Sequence, residues 1–133
     1  MSENNKVLGK NGEILVRKEL QNLGYTIIAQ SFTCKKGEID LVAFDNNVEE
    51  RKYKGYRRKQ ELVFIDVSLK PIYKFGEIIE GETEKKKQKH VVSASKYFIN
   101  RYGLDTYPIR YDKVHVICDD DTYRLEQIKN CKL

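Results

Sequence analysis

Two apolar strands that each carry an acid in mid-run constrain this chain more than any other feature. GEIDLVAFD, Gly37 to Asp45, and ELVFIDVSLKP, Glu61 to Pro71, are rich in β-branched and aromatic residues and bounded by turn formers, which predicts strands. Alternate side chains of a strand share a face. Glu38, Asp40, Val42 and Phe44 then project one way, and Ile39, Leu41 and Ala43 the other. On the second strand Leu62, Phe64, Asp66, Ser68 and Lys70 share a face, while Val63, Ile65, Val67 and Leu69 form an apolar face that belongs in a core. A hairpin register that sets Phe44 opposite Leu62 also sets Asp40 opposite Asp66. Like charges directly opposite destabilise a sheet. The pair therefore asks for a raised carboxylate pKa or a bound cation, and oxygen-only ligands favour a hard ion such as Mg²⁺ or Mn²⁺. The alternative is that both acids lie near strand ends and are simply solvated.

A chain of 133 residues is expected to be one domain, residues 1–133, with one substantial core. Its formal charge of +5 leans toward a polyanionic partner without excluding others. Cys34, Cys118 and Cys131 are odd in number and lack a C-x-x-C spacing, which fits a reduced, cytoplasmic setting. Two histidines, His90 and His115, are too few for most zinc sites. The polar start MSENNKVLGKNGE has no apolar signal region and no run is long enough to span a bilayer, so a soluble protein without a membrane partner is expected.

A helix is predicted from about Gly9 to Leu23, with Gly9, Gly12, Val16, Leu20 and Leu23 on its apolar stripe and Gly24 as its stop. Glu13 sits at the edge of that stripe in the first turn. Complementing the helix dipole is a sufficient role for it; the functional alternative has it lean toward the sheet and join the acids. Tyr25 to Phe32 is a first strand and Thr33 to Lys36 a turn. The connection Asn46 to Gln60 carries Arg51, Lys52, Lys54, Arg57, Arg58 and Lys59, interleaved with Tyr53 and Tyr56. It is either a solvated hairpin extension or a surface that holds phosphates and stacks bases.

After a loop from Ile72 to Gly81, a second helix is predicted from about Glu84 to Tyr102, burying Val91, Ala94, Phe98 and Tyr102. Lys87 lies on that stripe near the helix start, where the dipole opposes a cation. It either wants an anion nearby or snorkels to solvent; Lys85, Lys86 and Lys89 fan out elsewhere. Ile109 to Cys118 is a strand, Asp119 to Asp121 a solvated acidic turn, and Thr122 to Ile128 a short edge strand. Helix, three strands, helix and two strands in that order predict an α/β architecture, a central mixed sheet flanked by helices.

With these motifs in place, the chain resembles the YraN-like proteins, a bacterial family related to archaeal Holliday-junction resolvases. The resemblance runs through GKNGE at Gly9 to Glu13, CKKGEIDLVA at Cys34 to Ala43, VFIDVSLK at Val63 to Lys70, Phe75-Gly76, Lys87-Gln88, Tyr97-Phe98 and IRYD at Ile109 to Asp112. It implies the restriction-endonuclease-like, PD-(D/E)XK nuclease fold. It also implies a site in which Asp40 and Asp66 hold Mg²⁺ or Mn²⁺ and Glu13 assists. The metal would polarise a phosphodiester and activate water. One departure stands out: where the family has E-V-K, this chain has Asp66-Val67-Ser68. Lys70, one pleat further on, or Lys87 from the helix would then replace the lysine.

The expected function is a metal-dependent nuclease, or nuclease-like protein, acting on DNA, branched DNA included. The basic segment Arg51 to Lys59 with Lys85 and Lys86 would bind the nucleic acid, and the resolvase relatives imply a homodimer. The alternatives are a catalytically inactive nucleic-acid-binding module and a protein-interaction scaffold on the same fold.

Overall fold

The β-branched runs and the period-3.6 stripes become one layered unit. The computed structural model describes residues 2–71, 82–119 and 122–131, with side chains for 11–69, 88–118 and 122–131. In chain order the elements are α1 (Ser2–Asn22), β1 (Thr26–Cys34), β2 (Gly37–Asp45), β3 (Arg51–Tyr53), β4 (Tyr56–Arg58), β5 (Glu61–Pro71), α2 (Glu82–Tyr102), β6 (Ile109–Asp119) and β7 (Thr122–Ile128). Five strands form the main sheet in the order β1-β2-β5-β6-β7, and β3 and β4 form a separate two-stranded ribbon. β1, β2 and β5 are antiparallel neighbours, β5 and β6 are parallel, and β7 returns antiparallel. A parallel pair needs a long crossover, and α2 supplies it. This is a mixed α/β fold of the restriction-endonuclease-like kind.

Each face of the sheet is closed by one helix. Val16 and Leu20 of α1 pack on Leu41, Ala43, Val63, Ile65, Val114 and Val116. Ala94 and Phe98 of α2 pack on Ile39, Val42, Leu62 and Phe64, with Phe64 edge-on to Phe98 at 6.0 Å. β5 is therefore buried on both faces, which is why its sequence reads as a nearly continuous apolar run broken only at Asp66 and Ser68.

Five sequence expectations need correction, the first being Tyr102, which ends α2 54% exposed rather than on its buried stripe. α1 starts at Ser2 rather than about Gly9, because its polar first turns carry no apolar period. Leu23 is 50% exposed. It lies just past the end of α1, where the chain turns at Gly24 (φ 92°). β1 continues to Cys34, so that the turn shrinks to Lys35 and Lys36. Ile39 does not share a face with Leu41: it packs with Val42 on the α2 side. The alternation slips at Asp40, opposite a residue of β1, Ser31, whose φ of 53° breaks the regular strand. The segment 72–81 lies outside the described residues.

Gly37 opens β2 at a close approach to α2. Its φ is 148°, and a Cβ there would lie 2.6 Å from the His90 carbonyl oxygen. Helix backbone cannot yield cheaply, so Gly37→Ala is expected to lower stability by about 1–3 kcal/mol, measured as a shift in denaturation midpoint at constant m.

Candidate nucleic-acid cleavage site

β2 and β5 pair from Asp45↔Glu61 through Phe44↔Leu62 to Leu41↔Ile65, as the sequence register requires. One further hydrogen-bonded pair would set Val67 against Ile39. The ladder stops instead, and the Val67 N–H donates to Oδ2 of Asp40 at 2.8 Å. A side-chain carboxylate thus takes the place of a backbone carbonyl. Asp40 is held against the backbone of the residue that follows Asp66, at the point where the two strands part.

The same carboxylate has a neighbour on its other side. Ser31 lies between the pairs Gln30↔Leu41 and Phe32↔Ile39, hence opposite Asp40. Its left-handed φ of 53° is uncommon for a residue other than glycine. Its hydroxyl donates to Oε2 of Glu13 at 3.0 Å. α1 therefore brings Glu13 to the β1 residue facing Asp40, and a row runs from Glu13 through Ser31 and Asp40 to Val67. Dipole complementation explains the helical position of Glu13 but not this contact across 18 residues.

Asp66 faces the other helix. It lines a small pocket between β5, β6 and α2 together with Gln88, Tyr111 and Lys113. The parallel register sets Asp66 beside Lys113 and Ser68 beside His115. Lys113 is only 8% exposed. Its pairing with Asp66 was not readable from the sequence, since that needs the order and direction of strands far apart in the chain. Lys70 pairs through its backbone with Ile117. The side chains of Lys70, Lys85, Lys86 and Lys87 lie outside the described residues, as do Asp120 and Asp121. Among the described residues, no three His, Cys, Asp or Glu side chains group tightly enough to form a complete metal cage.

The connection Asn46 to Gln60 is not a plain loop: it folds into the β3–β4 ribbon, with Lys54 (φ 50°) and Gly55 (φ 83°) making its tight turn. Arg58 is not a solvated charge. It donates to the Thr106 carbonyl at 2.9 Å and lies 3.8 Å from the centre of the Tyr107 ring.

Near the ribbon's root a buried charge cluster forms that the sequence hid. Arg110 donates to both carboxylate oxygens of Asp112 (2.9 and 3.0 Å), to Asp45 (2.8 Å) and to the Tyr25 hydroxyl (2.9 Å). Gln127 and the backbone N–H of Asn130 also donate to Asp112. Burial opposes ionisation of Asp45, but the Asn47 N–H, the Arg110 guanidinium and the Tyr25 hydroxyl outweigh it and hold the carboxyl below its usual range. Burial likewise opposes charge on Arg110, and its hydrogen bonds to Asp112 and Asp45 more than offset that, fixing it as a cation. The signal was the alternation of Arg110 with Asp112 in IRYD, both on the face of Val114.

Residues 12–116 match the model of the uncharacterised protein family UPF0102. Similar proteins include a UPF0102 protein of Clostridium botulinum (strain Hall), 31% identical over 128 residues, 95% of this chain and 94% of the relative. A UPF0102 protein of Dehalococcoides mccartyi is 33% identical over 130 residues, 98% of this chain and 96% of the relative. Among the described residues no helix is long and apolar enough to cross a membrane.

Proposed function

This chain belongs to the uncharacterised protein family UPF0102, and we propose that it is a metal-dependent nuclease acting on DNA. The observation that supports this best is the carboxylate of Asp40, drawn across the end of a strand ladder to the backbone beside Asp66. Two acids at the parting of two strands suit phosphodiester chemistry better than packing.

Hard oxygen donors fit Mg²⁺ or Mn²⁺. Two carboxylates leave most of the coordination sphere to water and phosphate, as Mg²⁺ prefers. Asp40 and Asp66 would hold the ion, which supplies polarisation of the phosphoryl oxygen and an activated water. The Val67 N–H orients the Asp40 carboxylate. Lys113, in register with Asp66, places a cation where negative charge grows on the phosphate. This assigns to β6 the role that Lys70 or Lys87 was expected to fill.

The test is cleavage of linear, single-stranded, flapped and four-way branched DNA with Mg²⁺ and, separately, Mn²⁺, beside a chelated control and Asp66→Asn. Cleavage by the native chain alone establishes the site. Absence of cleavage on every substrate with both metals overturns it. It would leave the second reading, a binding module without catalysis, which Ser68 favours because it stands beside His115 where the resemblance to the YraN-like proteins implies a lysine. Lys113→Met is expected to lower kcat by about 10²-fold, the loss typical of one removed electrostatic contact to the reacting group, and Lys113→Arg to restore part of it. An unchanged kcat in Lys113→Met would return the role to Lys70 or Lys87.

A further inference from the structure

The β3–β4 ribbon is built against its own electrostatics. Its cross-strand pairs are Arg51↔Arg58, Lys52↔Arg57 and Tyr53↔Tyr56. Both charged pairs are therefore cation against cation, an arrangement that destabilises a sheet. Six of the nine residues from Arg51 to Lys59 are Lys or Arg and none is acidic, although Glu49, Glu50 and Glu61 flank the segment. Among the described residues none of those six is ion-paired with a carboxylate. A two-stranded ribbon is marginal by itself, and this one is fastened to the body through Arg58, Thr106 and Tyr107.

That fastening turns Arg58 toward the body, while Arg51 and Tyr56 of the same face stay exposed. Arg51, Tyr53, Tyr56 and Arg58 share the face that Arg58 turns toward Tyr107, and cations lie over both ribbon tyrosines. Lys52 and Arg57 occupy the opposite face, both exposed, with Lys54 at the tip also exposed. The ribbon grows from the Asp45–Glu61 end of the β2–β5 pair, whereas Asp40 and Asp66 lie past the Leu41–Ile65 end. At about 3.4 Å per residue Asp40 lies roughly 17 Å from the root of the ribbon at Asp45.

We propose that this ribbon is a clamp for the groove of duplex DNA. It rests on the nuclease assignment only for the position of the scissile phosphate. A two-stranded ribbon fits a major groove about 12 Å wide, and Lys52, Arg57 and Lys54 reach the phosphates that border it. The contact falls at least about five base pairs from the phosphate held at Asp40 and Asp66, given a rise of about 3.4 Å per pair. The substrate is accordingly a molecule with a duplex arm, not a short single strand.

The test is equilibrium binding of a 20-base-pair duplex, in chelator, by the native chain and by the double variant K52Q/R57Q, across a range of salt. Loss of two phosphate contacts is expected to flatten the slope of log affinity against log salt by about 1.8, with a melting temperature no lower than that of the native chain. K54Q, at the tip, is expected to flatten it by about half as much. Where the native chain also cleaves, the double variant should raise KM and keep kcat. Slopes equal in native and variant chains, failure of the native chain to bind duplex at low salt, or equal competition by single strands of the same length would each overturn the clamp. Because binding is read without metal, a clamp that survives in a chain that never cleaves would sink the nuclease assignment alone. Cleavage without any slope change would sink the clamp alone.

Discussion

Asp40→Asn is expected to cut metal-dependent cleavage by about 10³-fold and to leave the fold standing. The asparagine carbonyl oxygen can still accept the Val67 N–H, so the contact that ends the β2–β5 ladder survives. What disappears is a negative charge on a hard oxygen. A metal contributes several kcal/mol to stabilising charge in such a transition state, and about 4 kcal/mol corresponds to a thousandfold. Asp40→Ala, by contrast, also strips the Val67 N–H of its acceptor and should lose about 1–3 kcal/mol of stability. Comparing rates and denaturation curves of the two variants separates the chemical role of Asp40 from its structural one. If Asp40→Asn keeps native activity in Mg²⁺, Asp40 is only a ladder cap and the site lies elsewhere.

Arg110→Met is expected to destabilise the fold by about 3–5 kcal/mol at neutral pH. It would leave the buried carboxylates of Asp45 and Asp112 without their shared cation. The loss should depend on pH. In the native chain the carboxyl of Asp45 titrates below its ordinary value of 3.8. Its contribution is therefore complete above about pH 4 and is lost as pH falls through the lowered value. Without the guanidinium, burial pushes the same carboxyl upward, and protonation then relieves the variant. The gap between native and Arg110→Met should narrow as pH falls toward about 4, where the variant's raised carboxyl protonates, and further below it, where the native one does. Denaturant unfolding at pH 7 and pH 3.5 checks this; a gap that stays constant would mean that Asp45 is not coupled to Arg110.

Much of this was legible in the strand sequences. β2, β5 and β7 fall at the residues where the β-branched runs and turn formers place them, because local pattern and burial agree there. Pairing Phe44 with Leu62 followed from matching apolar residues across a hairpin. What pattern could not supply was any departure from regularity. Ile39 crosses to the α2 side where Ser31, opposite Asp40, takes a left-handed φ, and nothing in the composition of β1 announces that. Arg58 looks like one more solvated cation until Tyr107, 49 residues further on, closes over it.

The sequence by itself determined the elements, the apolar faces and the presence of acids inside two strands, since these depend on side-chain type and on periods of 2 and 3.6 residues. Only the tertiary structure decided which groups meet. Lys113 stands beside Asp66 because α2 carries the chain over to a parallel strand. Glu13 reaches Ser31 because α1 lies over β1. Arg110 gathers Asp45, Asp112 and Tyr25 from three strands or their edges. Charges buried in this way are tolerable only when partners distant in sequence converge on them, and convergence is a property of topology, which no local period encodes.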